Sequence, residues 1–202
     1  MTGDEPDTDE RASERRASTV AADPVEDGGG RGDGADRGDG DEHDSDDLPQ
    51  EPAGETALLL DTMLGKLATY LRMCGYDAAY AGERGVEADD DVLALAHTEG
   101  RVLVTRDREL AARAERSQLL STREVTEQLR ELRRSGFDLE LSDEPARCSA
   151  CNGPLERVDR TEPTPDYAPE THEETVWRCR NCGQHFWKGS HWADVAGTLE
   201  DL

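Results

Sequence analysis

Two Cys-x-x-Cys pairs set the tightest limit on how this chain can fold. Cys148 and Cys151 form one pair, Cys179 and Cys182 the other. Each spacing places two thiols on one tight turn. Two such turns facing each other make a tetrahedral four-sulfur cage, which closes the coordination sphere of Zn²⁺. Gly153 and Gly183 follow their turns closely, as tight knuckles require. The 27 residues between the pairs offer Leu155–Val158 and Thr175–Arg178 as hairpin strands, joined through Pro163, Pro165 and Pro169. This is the layout of a zinc ribbon over residues 146–193, followed by a short tail. A closed four-thiolate site has no open position, so the zinc is expected to be structural. Iron would take the same ligands and give a rubredoxin-like centre, which would be red where zinc is colourless. His172, His185 and His191 are spare donors. Trp177, Trp187 and Phe186 suit the core of a small module. Trp192, beyond the ribbon proper, is a candidate platform for stacking nucleic-acid bases.

Charge divides the chain. The 202 residues carry a formal net charge of −24, and residues 1–55 hold 19 Asp and Glu against 5 Arg. That segment is rich in Asp, Glu, Gly and Pro and has almost no large apolar side chain. It cannot bury enough surface to offset the entropy of ordering, so it reads as a disordered acidic tail. Lys66 and Lys188 are the only lysines. An acidic, lysine-poor surface suits a salt-filled cytoplasm, so a halophilic host is expected. Persistence of the fold in dilute buffer would count against it. The start lacks a basic n-region and an apolar h-region, and no apolar run approaches the roughly 20 residues needed to span a bilayer. A cytoplasmic protein with no membrane partner is expected, with its thiols reduced.

From Ala57 the pattern becomes that of an α/β domain, residues 57–140, with a mostly parallel sheet. Ala57–Leu60 is a short apolar run of buried-strand type. Leu64, Leu67, Ala68, Leu71 and Cys74 recur at helical spacing, and Gly75 stands where a C-terminal cap belongs. Cys74 there reads as a small core residue. Tyr76–Ala81 suggests a second strand, and Asp89, Asp90 and Asp91 open a helix that ends near Gly100. Val102–Val104 is a third strand, Glu109–Ala114 a short helix and Gln118–Ser121 a fourth strand. Val125, Leu129 and Leu132 mark a last helix, stopped at Gly136, with a linker at 142–147.

Asp61 and Asp107 each follow a buried strand closely, where parallel sheets build their ligand sites. The Asp89-Asp90-Asp91 cluster starts the intervening helix and is placed to reach the same edge. Clustered carboxylates repel unless a cation neutralises them, and hard oxygen ligands select Mg²⁺ or Mn²⁺. Such ions activate water and stabilise a phosphodiester under attack. Carboxylates at helix starts also serve as plain caps, in which case these residues hold only their own backbone turns.

Residues 58–77, Leu-Leu-Leu-Asp-Thr-Met-Leu-Gly-Lys-Leu-Ala-Thr-Tyr-Leu-Arg-Met-Cys-Gly-Tyr-Asp, resemble the opening of the Mut-seven C-terminal RNase domain family, a PIN-like group. Asp90-Asp91-Val-Leu-Ala-Leu-Ala, Gly-Arg-Val-Leu-Val-Thr-Arg-Asp-Arg-Glu-Leu and the closing ribbon with Trp-Lys-Gly-Ser-His-Trp fit it too. Thr69-Tyr70 departs from the Arg-Trp pair expected in the first helix. The resemblance implies a PIN-like fold with a fused zinc ribbon and a metal-dependent ribonuclease activity. It makes Asp61, Asp90 or its neighbour Asp91, and Asp107 the catalytic acids on Mg²⁺ or Mn²⁺, with Thr105 a supporting hydroxyl. A further acid is sought at Glu83 or Asp89.

Binding RNA on so acidic a protein needs local cations. Residues 105–134 form the one locally basic stretch, and Arg106 and Arg108 flank Asp107 as candidate phosphate contacts. Lys66 and Arg72, on the first helix, are candidates as well. A second reading is a non-catalytic RNA- or ribosome-associated zinc module working with other RNA-processing proteins.

Overall fold

The computed structural model describes residues 56–202; the acidic segment read as a disordered tail lies outside the described residues. Four parallel strands form the main sheet: β1 (Ala57–Leu60), β2 (Asp77–Tyr80), β3 (Val102–Thr105) and β4 (Ser117–Leu119). Helices α1 (Gly65–Met73), α2 (Asp89–Thr98), α3 (Arg108–Arg113) and α4 (Val125–Arg134) follow these strands in turn. A 3₁₀ turn, Ala81–Arg84, lies between β2 and α2. The strand order is β2-β1-β3-β4, with Leu58 opposite both Ala78 and Val102. The fold is α/β with a parallel sheet flanked by helices.

The three leucines of β1 are fully buried because both faces of the sheet are covered. Leu58 and Leu60 join Ala78, Val102 and Val104 in one apolar layer, against α1 and α4. Leu59 and Leu103 point the other way, into a smaller layer with Val92 and Ala96 of α2 and Leu110 of α3. Alternation along four residues thus fills two cores. Cys74 is a buried member of the larger one. Burial pushes its thiol up to about 12, which suits packing and not nucleophilic chemistry.

The ribbon is a three-stranded antiparallel sheet of β5 (Leu155–Arg157), β6 (Trp177–Cys179) and β7 (His185–Phe186), in that order. The sequence reading placed two strands here; β7 has only two residues, too few to leave a period. The larger correction is at the end of the chain. Residues 190–200, read in part as a tail, form helix α5 (Ser190–Glu200). Its Val195 and Leu199 are buried in the larger core of the α/β domain, with Trp192 packed against it. Arg133 donates to the Leu199 carbonyl at 3.2 Å and Arg130 to that of Asp201 at 3.2 Å, tying α4 to α5.

Candidate active site and thiolate cluster

The chain leaves β1 for β2 on one side, then returns to place β3 on the other side. The sheet order therefore reverses between β1 and β3, and in open parallel sheets the crevice at that point is where ligands bind. Asp61 begins there. Its N–H donates to the Val104 carbonyl at 3.0 Å, so the turn after β1 is fixed to β3. Its carboxylate is 7% exposed and accepts from Thr62 N at 2.5 Å and from Thr105 Oγ1 at 2.8 Å. The Thr105 hydroxyl in turn accepts from the N–H of Asp107 at 3.0 Å. One side chain thus links the turn after β1 to the loop after β3 and fixes its own proton on Asp61. Tyr80 braces the same turn by donating from its hydroxyl to the Thr62 carbonyl at 2.7 Å. Gly82 is required beside it, since a Cβ there would lie 2.7 Å from the Tyr80 ring.

Asp107 caps α3. One carboxylate oxygen accepts from Glu109 N at 2.8 Å and Leu110 N at 3.0 Å, and the other has no hydrogen bond among the described residues. Asp107 is exposed to solvent. Asp61 and Asp107 therefore share one edge through Thr105, one nearly buried and one open. Asp89, Asp90 and Asp91 form the first turn of α2, where their charge favours the helix dipole. Asp90 is 84% exposed and ion-paired to Arg113 of α3; Asp91 is also exposed. Neither is hydrogen-bonded to the Asp61–Thr105–Asp107 set. Glu83 is turned to another use, described below.

Among the described residues, one group of three or more potential ligands converges on a single point. It is Cys148, Cys151, Cys179 and Cys182, whose sulfurs all lie within 4.8 Å of one another. The Cys148–Cys182 and Cys151–Cys179 separations are 3.7 and 3.5 Å. Tetrahedral zinc with bonds of about 2.3 Å places its sulfurs about 3.8 Å apart, so the cluster can form a zinc site. Burial pushes the Cys148 thiol up. Burial raises Cys179 as well, but the N–H groups of Cys182 and Asn181 aimed at its sulfur outweigh that and bring it down to about 7. Gly153 is buried against this cluster: a Cβ there would lie 2.8 Å from the Cys179 sulfur.

The first knuckle is joined to the edge of the main sheet. Asn152, at a left-handed φ of 63°, accepts from the N–H of Ala78 in β2 at 3.0 Å and donates to Asp77 at 2.6 Å. Arg101 and Arg147 hold the same Asp77 carboxylate at 2.8 and 3.3 Å. Burial raises the Asp77 carboxyl, yet the bonds from Arg101 and Asn152 outweigh it and keep its pKa below the ordinary range. Arg72 completes the join. It is 1% exposed and donates to Ala78 O at 2.8 Å, to Ser149 O of the knuckle at 3.1 Å, and to both Glu83 oxygens at 3.0 and 2.8 Å.

A family model described as the Mut7-C RNAse domain matches residues 56–199. The chain belongs to the Mut7-C RNAse domain family. No curated protein and no solved structure matches it. The matched span of this Mut7-C RNAse domain runs through sheet, ribbon and nearly all of α5, the same elements that the Asn152, Arg72 and α4–α5 contacts bind together.

The predicted RNA contacts fall in different settings in this Mut7-C RNAse domain. Lys66 is exposed in the first turn of α1, next to the Asp61 turn. Arg106 and Arg108 line a cleft beside Asp107. Trp192 is partly buried, with Lys188 5.2 Å from its ring centroid. Arg72 has its donors turned inward and no surface to offer a strand. Asn152, Asp77 and Tyr80 carry no sequence signal: a lone Asn after a knuckle or a Tyr at a strand end looks like any other. No helix among the described residues is long and apolar enough to cross a membrane.

Proposed function

We propose that this protein is a ribonuclease that hydrolyses RNA phosphodiester bonds at the Asp61–Thr105–Asp107 edge, using Mg²⁺ or Mn²⁺. The observation that carries the reading is one nearly buried and one open carboxylate held at the sheet's reversal point by a shared threonine, in a chain of the Mut7-C RNAse domain family. Magnesium is commonly held by one or two carboxylates, with waters and substrate phosphate filling the other positions, and this donor set fits that habit. When bound, the ion supplies a water of lowered pKa and neutralises charge on the phosphate. Thr105 orients Asp61 by donating to one oxygen. Asp107 uses one oxygen for its cap and keeps the other for a ligand. Asp90 and Asp91 join as second-site acids once Asp90 leaves Arg113. Lys66, Arg106 and Arg108 bind the strand, and Trp192 offers its ring face to a base. The four thiols hold a structural zinc that fixes the ribbon, which seats RNA or a protein partner, including the ribosome. We place the protein in a salt-rich cytoplasm, where the Debye length near 1 M salt is about 3 Å. Contact bonds then carry RNA affinity, and long-range steering contributes little.

The test is cleavage of labelled RNA in Mn²⁺ by parent, Asp61→Asn, Asp107→Asn and Thr105→Val proteins. Both Asn variants should fall to background; Asp107→Asn should melt near the parent because Asn also caps α3, and Asp61→Asn keeps an oxygen to accept from the Thr62 N–H. Thr105→Val should lose about 10- to 100-fold, the usual cost of removing a ligand's orienting partner. Undiminished cleavage by both Asn variants would remove this mechanism. The pairing of Asp90 with Arg113 favours a second reading, a non-catalytic RNA-binding zinc module; parent protein that binds RNA and never cuts it would establish that one instead.

A further inference from the structure

The loop after β3, the end of β4 and the last turn of α4 enclose a cleft of about 430 Å³, within the range of small-ligand sites. Three cations line it: Arg106, Arg108 and Arg134. Many other arginines among the described residues are paired with carboxylates, as Arg84 with Glu99, Arg101 with Asp77 and Arg178 with Glu156. The three in the cleft have neither a carboxylate nor a hydrogen-bond partner among the described residues. The one acid on the wall, Glu131, is already engaged: it accepts from Ser121 N and Ser121 Oγ, each at 2.7 Å. Three guanidiniums therefore face one carboxylate, which is spoken for by Ser121, and the cleft keeps a net positive charge inside a protein of net charge −24. Like charges gathered on one concave wall repel, and an anion seated among them relieves that repulsion. The remaining lining is of another kind. Leu119, 39% exposed at the end of β4, is one of the few large apolar side chains left open to solvent among the described residues.

We infer that this cleft is a nucleotide subsite, with the phosphate on Arg106, Arg108 and Arg134 and the sugar and base over Leu119. The inference rests on the ribonuclease reading for its place in the reaction, and it adds the path of the strand. Asp107 lies between Arg106 and Arg108 in the chain, so a strand whose scissile phosphate sits at the Asp61–Asp107 edge delivers a neighbouring nucleotide to the cleft. Free phosphate alone meets only half of the lining, whereas a nucleoside monophosphate meets both halves.

Isothermal titration of the full chain without divalent ions, using adenosine monophosphate, adenosine and inorganic phosphate, tests this. The monophosphate should bind, and both fragments should bind at least about tenfold more weakly, the factor that one lost charge-assisted contact represents. The Arg106→Gln/Arg134→Gln double variant and the exposed Arg108→Gln single variant should each weaken the monophosphate by at least about tenfold, with thermal melting checked alongside. Asp61→Asn should bind it as the parent does. Equal binding of adenosine and its monophosphate overturns the subsite, as does equal binding of phosphate and the monophosphate. Arginine variants that bind like the parent overturn it too; a fall in melting temperature with binding intact would assign Arg134 to the helix-end dipole alone. Parent protein that cuts RNA while its arginine variants bind normally sinks the subsite and spares the nuclease reading. Parent protein that cuts nothing, yet binds through these arginines, does the reverse.

Discussion

Replacing Arg72 by Met should destabilise the whole described unit without touching the Asp61–Thr105–Asp107 edge. The substitution keeps the aliphatic stem and removes the guanidinium. Four hydrogen bonds go with it: two to Glu83, one to Ala78 O and one to Ser149 O. Glu83 is 41% exposed, so its half of the ion pair is screened and returns to water at little cost. The two carbonyls decide the outcome. Each, left without a donor in the interior, costs about 1–3 kcal/mol, so a loss of about 3 kcal/mol is expected. For a folded unit of this size that is roughly 6–12 °C of melting temperature. Circular dichroism melts of parent, Arg72→Met and Arg72→Lys would measure it. Lysine should fall between the two, since one ammonium cannot span both carbonyls and a bidentate carboxylate. A Met variant within about 1 kcal/mol of the parent, but weaker in RNA affinity, would refute the argument and restore Arg72 as a strand contact.

Two further outcomes follow from the knuckle. Gly153→Ala should weaken metal binding, because its methyl group would press on the Cys179 sulfur and the Asn181 side chain; competition with a colorimetric zinc chelator reads this, and parental affinity would show that the loop yields freely. The same assay on the parent should release one zinc per chain, and hydrogen exchange at the Ala78 N–H should then speed up as Asn152 lets go. The third outcome concerns pH. The folded Asp77 carboxyl is held below its unfolded value of 3.8, so its contribution is fully present above that value and is lost as pH falls through the folded pKa. The melting gap between parent and Asp77→Asn should be constant from about pH 7 to 5 and shrink toward about pH 2; a gap that does not change with acid would contradict the pairing with Arg101 and Asn152.

Much of the fold was legible because its signals are local. Leu58, Leu59 and Leu60 announce a strand covered on both faces, and the two Cys-x-x-Cys pairs announce a cluster whatever surrounds them. Asp61 and Asp107 stand out as candidates because strand ends are special places in a parallel sheet, and the structure links them through Thr105. Contacts between distant segments left no such trace. Asn152 reaches a backbone N–H 74 residues away, and nothing at either position signals the meeting. Arg72 looks like a surface cation on an amphipathic helix until the knuckle covers it. Helix α5 does carry Trp192, Val195 and Leu199 at helical spacing, but Gly197 and a polar stretch blur the pattern, and only the receiving core shows what these residues fit.

That last helix has a bearing on synthesis. Leu129 and Leu132 of α4 share one apolar layer with Val195 and Leu199, more than sixty positions downstream. A nascent chain that has emerged only as far as the ribbon still has that flank open to water. Closure needs a late, long-range docking step of the kind that slows folding. That flank of the α/β domain is therefore covered only after residues 190–200 have left the ribosome.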